Sequence, residues 1–324
     1  MRPGWAGAPR RGFALLTAMW LVVAIAAVAL EFSLHEQQRR MTAIDVAERT
    51  QAYAAANAGI ATTRSRIIRL LEGVSSGTAD QFASAIDSAD PWQRADSLFS
   101  GSERVGNGRY VVTVRDAGSV LNINLMSEDN WRTLLTATGV DYDTADQLAQ
   151  TIMDWTDLDD DPRPRGAERE QYLRARRLVL PPNKRFASVG QLRDVMGMTP
   201  DIYKRVAPYL SIGTPGLVSV NTADAAVLRT VPGFTDEVVA AVLAERGSNT
   251  RFKSLQDLMQ QVPVTTQTEL TQAADSIGNH TTFKTQALIV QSVGWAPGGY
   301  THVTSEVVFA RQQNQTQTVW RKDE

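Results

Sequence analysis

The sequence predicts an α+β fold: a long N-terminal helix, an antiparallel sheet split in two along the chain, and a large all-α domain inserted between its strands. Three observations predict it. An apolar run near the start continues into helically spaced residues, with no proline between Phe13 and Pro91. Segments rich in β-branched residues occur around Tyr110 to Val114 and again after Phe283. Between them lies an imperfect internal repeat of helical character.

Phe13 to Leu30 run for 18 residues with Thr17 as the one polar side chain, just long enough to cross a bilayer. Arg2, Arg10 and Arg11 precede them without an acid, which predicts a cytoplasmic N-terminus. A secretory signal would end at a small-residue cleavage site, whereas this run passes into Glu31-Phe32-Ser33-Leu34 and on along a helix. Apolar pairs then recur at Val46/Ala47, Tyr53/Ala54, Ile60/Ala61 and Ile67/Ile68, a stripe on one face that ends near Leu71, before Gly73. A helix from Phe13 to Leu71 is about 90 Å long at about 1.5 Å per residue. Half of it projects from the membrane, and the upper part of the stripe packs on the chain's own domain.

Gly106-Asn107-Gly108 is a turn signal leading into Tyr110-Val111-Val112-Thr113-Val114. The β character resumes at Phe283 to Val290, turns at Ala296-Pro297-Gly298-Gly299, and continues through Val303 to Arg311 and Thr316 to Arg321. In the helical middle, Arg185-Phe186-Ala187-Ser188 recurs as Arg251-Phe252-Lys253-Ser254, and Leu121-Asn122-Ile123-Asn124 is echoed by Val218-Ser219-Val220-Asn221. Two related helical units follow, with Asn or Thr read as the N-cap of the helix after each echo.

Several function classes fall away on composition. With 33 basic and 35 acidic residues the formal charge is -2, which gives no general attraction to nucleic acid. The absence of cysteine removes disulfides, thiolate zinc sites and thiol nucleophiles. His35, His280 and His302 stand in no metal-ligand spacing and beside no plausible nucleophile. No catalytic residues are assigned, and the chain reads as non-enzymatic.

Arg10-Arg11-Gly12-Phe13-Ala14-Leu15-Leu16-Thr17 resembles the leader of type IV pilins and pseudopilins. That resemblance implies cleavage by a prepilin peptidase between Gly12 and Phe13. Pilins carry glutamate at the fifth mature position, where this chain has Thr17. A carboxylate in hydrocarbon needs a partner, and a subunit with no neighbour ahead has none to meet, so Thr17 fits a tip position. Further on come Asp154-Trp155-Thr156-Asp157-Leu158-Asp159-Asp160-Asp161-Pro162, Gly166-Ala167-Glu168, Gly197-Met198-Thr199-Pro200, Pro208-Tyr209-Leu210 and Val231-Pro232-Gly233. Their order resembles the K-type minor pseudopilin (GspK) family of type II secretion systems. The resemblance implies a non-enzymatic subunit that caps the pseudopilus tip and helps initiate its assembly. It implies I-type and J-type minor pseudopilins as partners, an inner-membrane anchor, and a C-terminal domain in the periplasm. The implied organisation is a leader over 1–12, a helix over 13–72 with 13–34 in the membrane, and a pilin-like part over 73–120. An inserted helical domain of helix-hairpin-helix or SAM-like type follows over 121–282, then pilin-like sheet over 283–324.

Five aspartates crowd residues 154–161, a density that is unfavourable unless the charges spread into solvent or share a cation. Hard oxygen donors suit Ca²⁺, although the loop is not an EF-hand, since Pro162 stands where that loop requires glycine. The family resemblance implies a structural Ca²⁺ site, with Asp157, Asp159, Asp161 and Glu168 as preferred ligands. The alternative is a solvated turn balanced by Arg163, Arg165, Arg169 and Arg174. A second resemblance competes for the whole chain: Val220-Asn221-Thr222-Ala223 through Val231-Pro232-Gly233 also looks like the helix-hairpin-helix of membrane-anchored competence DNA receptors. Such hairpins hold phosphate on glycine backbone N–H groups. Here Thr235, Asp236 and Glu237 follow the hairpin, two carboxylates where phosphate should sit, so no nucleic acid is expected.

Overall fold

In the computed structural model, residues 11–76, 92, 98–248, 251–312 and 315–323 are described. One helix, α1 (Arg11–Ser76), runs through the apolar segment and past Gly73. A glycine weakens a helix by about 1 kcal/mol relative to alanine, so it does not by itself stop one. From Leu15 to Gln51 the side chains of α1 are almost all exposed, and burial sets in at Ala52.

Among the described residues the main sheet has five antiparallel strands. β1 (Gly101–Val105) and β2 (Gly108–Asp116) form a hairpin, with Gly106 at φ 55° in its turn. β7 (Ala287–Trp295), β8 (His302–Gln312) and β9 (Gln315–Asp323) complete the sheet, β2 pairing with β7 across the sequence gap. The strand expected from Phe283 begins only at Ala287. Phe283 to Gln286 instead form the return connection, in which the Phe283 carbonyl accepts from Asn221 and the Thr285 hydroxyl donates to Asp116.

The stripe that holds α1 to the sheet differs from the expected one. Ile60 and Ile67 are buried as foreseen, but Val46, Tyr53, Ala54 and Ala61 are exposed. The contact runs through Ala52, Ala55, Ala56 and Gly59, small residues that a search for large apolar pairs passes over. Small size is required there. A Cβ on Gly294 would lie 2.2 Å from the Ala52 carbonyl oxygen, and one on Gly59 would lie 2.3 Å from Ser292 Oγ. Above this seam Ile60 and Ile67 pack on Tyr110, Val112, Leu288, Val290 and Phe309.

This seam sets the polarity of the molecule. Ala52 and Ala56 face Gly294, Gly59 faces Ser292, and the Arg64 guanidinium sits 6.0 Å over Phe309, the register partner of Leu288. Ascending α1 therefore means descending β7, so Asp116 and Ala287 mark the sheet end farthest from the apolar segment. The helical domain leaves and returns there.

Within that domain come β3 (Leu121–Asn122), α2 (Glu128–Ala137), α3 (Tyr142–Thr156), α4 (Arg169–Arg174), α5 (Pro200–Val206) and β4 (Leu210–Ser211). A second group follows: β5 (Val218–Ser219), α6 (Ala225–Leu228), α7 (Asp236–Gly247), α8 (Leu255–Gln261), α9 (Val264–Gln272), α10 (Ala274–His280) and β6 (Thr281–Thr282). Both share one core, from Trp131, Leu134 and Leu148 to Val238, Leu258 and Ile277. The repeated Asn and Phe meet in each unit. Asn124 donates through Nδ2 to the Phe186 carbonyl and accepts from the Phe186 N–H, at 3.0 and 2.8 Å. Asn221 does the same with Phe252, at 2.8 and 2.9 Å. The N-cap reading of these asparagines is therefore corrected: Ser127 caps α2 and Asp224 precedes α6, while the asparagines pin buried phenylalanines from outside any helix.

Candidate metal centre

α3 ends at Thr156, and its final turn delivers two acids. Asp154, wholly buried, and Asp157, at the C-cap, lie three residues apart and so project from one side of the helix. The chain then loops out through Asp159, Asp160 and Asp161 and returns at Gly166-Ala167-Glu168, with Glu168 as the N-cap of α4. The return passes so close that a Cβ on Gly166 would lie 1.9 Å from Asp154 Oδ2. Glycine is what allows the loop to seat Glu168, 1% exposed, beside the two aspartates. One carboxylate oxygen from each of Asp154, Asp157 and Glu168 lies within 4.8 Å of the others.

Arg163 lies against this cluster, its Nη1 donating to both Asp154 and Asp157. Its backbone N–H also donates to Asp154 Oδ2, at 3.2 Å. One cation against three carboxylates leaves two negative charges over. Asp157 Oδ1 and both oxygens of Glu168 are buried with no hydrogen-bond partner assigned among the described residues. Burial first, then the charges of Asp154, Asp157 and Asp160, push the Glu168 carboxyl up to about 7. Burial also raises Asp154, against the opposing pull of Arg163. Orphaned buried carboxylate oxygens are costly, and a hard divalent cation would satisfy both the oxygens and the residual charge.

Of the four ligands expected, the structure gathers Asp157 and Glu168. Asp159 and Asp161 are exposed and stand outside the cluster, Asp159 Oδ1 accepting from the Asp161 N–H at 3.1 Å. Asp154 takes their place. Its signal was legible in the i, i+3 spacing to Asp157 on a helix end. Glu168 carried a signal too, being twelfth when Asp157 is counted as first, the place of an EF-hand's bidentate glutamate. The expected charge-balancing arginines divide: Arg163 enters the cluster, Arg165 pairs with Asp143 and Asp146, and Arg174 pairs with Glu170.

The centre is braced by a buried aromatic group. Trp155 packs against Tyr172 and Phe186 with ring centroids 5.8 and 6.4 Å apart. The Tyr172 hydroxyl accepts from the Met196 N–H at 2.7 Å, and burial pushes its pKa up to about 12. The loop is thereby tied to Phe186 and, through it, to Asn124.

The remaining sequence sites lie elsewhere. Thr17 is exposed on α1, within a stretch apolar enough to cross a membrane. Gly12 and Phe13 fall in the first turn of α1, and residues 1–10 of the leader lie outside the described residues. At the second unit's hairpin Gly233 adopts φ 89°, as a tight hairpin requires. Thr235 there caps α7 and donates to Glu269, and Asp236 is held by Arg229. The hairpin thus presents acids where a phosphate-binding one presents free N–H groups.

Comparison with known proteins gives two family matches: "Type II secretion system (T2SS), protein K" over residues 113–214 and "Helix-hairpin-helix motif" over residues 215–277. The chain is 26% identical over 166 residues to type II secretion system protein K of Pectobacterium carotovorum subsp. carotovorum, covering 47% of this chain and 49% of that one. It is 29% identical over 121 residues to the putative protein K of Escherichia coli K12, covering 33% and 37%. To protein K of Dickeya chrysanthemi it is 32% identical over 91 residues, covering 28% and 25%. The chain thus spans half or less of the length of these relatives. Among solved structures, a chain of the GspK-GspI-GspJ complex from enterotoxigenic Escherichia coli shares its fold, with a TM-score of 0.58 at 17% identity. That likeness covers 85% of this chain and 98% of the other.

Proposed function

Because this chain belongs to the type II secretion system protein K family, we propose that it is a minor pseudopilin that caps the pseudopilus tip and helps start its assembly. The observation that carries the reading is the placement of the helical domain at the sheet end farthest from the apolar segment. A filament of stacked pilin-like subunits extends along that direction, and a bulky domain there obstructs any subunit above. Below it, the exposed stretch of α1 from Leu15 to Gln51 is the surface through which helices of other subunits bundle. Its anchor lies in the inner membrane with the C-terminal domain in the periplasm, after a prepilin peptidase has cut between Gly12 and Phe13. Thr17 then sets the chain apart from subunits that neutralise a neighbour's amine. The role is structural rather than enzymatic.

The likeness to a chain from the GspK-GspI-GspJ complex supports I-type and J-type minor pseudopilins as direct partners. Asp154, Asp157 and Glu168 would hold a structural Ca²⁺, which when bound supplies the charge that the orphaned oxygens lack. The chain's own part is to converge three acids from a helix end and a returning loop, and to orient two of them with Arg163. A DNA-receptor role is disfavoured by the acids Asp236 and Glu269 at the hairpin. Co-expression of the full chain with its I-type and J-type counterparts tests the proposal. Co-purification of all three from detergent is expected, and purification of the chain alone would contradict it.

A further inference from the structure

The sheet face turned away from α1 is covered at its upper end by the helical domain, where Trp320 packs on Gly213 and Arg115 donates to the Pro208 carbonyl. Among the described residues its lower end, toward the apolar segment, is uncovered. Strand register lays one row of side chains there: Arg104 on β1, Arg109 on β2, Trp295 on β7 and His302 on β8. Alternation along β2 fixes which face this is, because Tyr110, Val112 and Val114 are buried toward α1 and Arg109 points the other way. The row above consists of Ser102, Val111, Val293 and Thr304, exposed or half-buried and without charge.

The row is stacked from one strand to the next. The Arg109 guanidinium lies 4.8 Å from the Trp295 ring centre, and the Trp295 and His302 ring centres lie 6.3 Å apart. Arg104 stands directly opposite Arg109. Like charges so placed repel, and among the described residues neither guanidinium has an acidic partner. Glu103, next to Arg104 in sequence, points to the other face, where it holds Arg66 and Tyr110. Glu48 of α1 is engaged by the Thr301 hydroxyl. On the outer face the first acid is Glu306, two rows higher and opposite Lys322; at about 3.4 Å per residue it is about 14 Å away along the strand. The β7–β8 turn adds Tyr300, 92% exposed, at the same end of the sheet. Arginine, tryptophan and tyrosine are the residues enriched where proteins bind one another.

We propose that the Arg104, Arg109, Trp295 and His302 row is a docking surface for a carboxylate-bearing face of a protein outside the filament, a placement that rests on the tip reading above. Three observations select this occupant. Two adjacent guanidinia with no acid opposing them match carboxylates in planar, charge-assisted pairs. A phospholipid surface is out of reach of the row, which lies level with Ala52 because Gly294 packs there; from Leu34, the expected end of the membrane segment, that is about 27 Å of helix at about 1.5 Å per residue. The row also faces away from α1, whose exposed stretch from Leu15 to Gln51 is the bundling surface, so it looks outward from the bundled helices.

The test uses the full chain in detergent micelles with nitrogen-15 tryptophan, the Trp295 indole signal being assigned by Trp295→Phe. End-blocked hexaglutamate should shift that signal saturably and less as salt rises, whereas hexaglutamine should not shift it. Arg104→Glu, at an exposed side chain with no hydrogen bond or ion pair among the described residues, should melt as wild type does and bind hexaglutamate about tenfold more weakly or worse. In cells the same variant should lower secretion several-fold while still co-purifying with the I-type and J-type subunits. A Trp295 signal that ignores hexaglutamate, or answers hexaglutamine equally, would overturn the proposal, as would unchanged secretion by Arg104→Glu. Loss of co-purification in the variant alone would place the row between filament subunits and overturn it too, and a larger Trp295 shift with phosphatidylglycerol vesicles than with hexaglutamate would make the occupant a lipid surface. Failure of the wild-type chain to co-purify would refute the tip reading alone, since the Trp295 titration does not depend on it.

Discussion

Replacing Glu168 by glutamine separates the cost of an unfilled carboxylate cluster from the benefit of filling it. In the folded chain the Glu168 carboxyl titrates at about 7 against 4.5 for an ordinary glutamate. Below pH 4.5 both folded and unfolded chains are protonated there. As pH rises the unfolded chain ionises first, so the stability associated with Glu168 is full below 4.5 and lost as pH passes about 7. That rise from 4.5 to about 7 corresponds to about 3 kcal/mol, and Asp154, also raised, adds in the same direction. In a chain of this size that is a fall in melting temperature of about 5–10 °C between pH 5 and pH 8. Thermal melts with a chelator across that range should show the fall, and millimolar Ca²⁺ at pH 8 should reverse it, by about 2.7 kcal/mol at a hundredfold excess over Kd. Glu168→Gln should remove most of the fall in the chelator profile, leaving the smaller part due to Asp154, and lose the Ca²⁺ response with it. A wild-type profile flat in chelator, or a glutamine variant that still responds to Ca²⁺ as wild type does, would refute the reasoning.

Two further outcomes test the frame around the site. Gly294→Val forces a side chain into a gap where even a Cβ would lie 2.2 Å from the Ala52 carbonyl oxygen. It should cost about 3 kcal/mol or more and expose α1 to proteolysis above Gln51, whereas the exposed Gly101→Ala should do neither. Asn221→Ala removes three hydrogen bonds, two to Phe252 and one to the Phe283 carbonyl. A loss of about 2–4 kcal/mol by denaturant titration is expected, larger than for Asn124→Ala, which removes two.

What could be read in the sequence depended on how local each determinant was. The apolar run of α1, the split sheet and the repeat of Asn and Phe motifs are periodic or repeated, and such patterns survive without knowledge of packing. The seam of Ala52, Ala56, Gly59 and Gly294 does not, because small residues signal close approach only once the partner strand is known. The roles of Asn124 and Asn221 were hidden for a similar reason: each bonds a residue 62 or 31 positions away, while an N-cap is local. At the acidic loop, composition located the carboxylate cluster, yet counting acids favoured the exposed Asp159 and Asp161. Burial is decided by the end of α3 and by Gly166, which together select Asp154, Asp157 and Glu168. Arg115 shows the limit most plainly, since its acceptor, the Pro208 carbonyl, is met only where the inserted domain returns over the sheet.

On the proposed function the inserted domain marks the end of a filament. Gold labelling of a tag placed on the exposed Leu178 loop, in pseudopili sheared from cells making the full secretion machinery, tests it most directly. Label is expected at one tip and none along the shaft. Label spaced regularly along the shaft would contradict it.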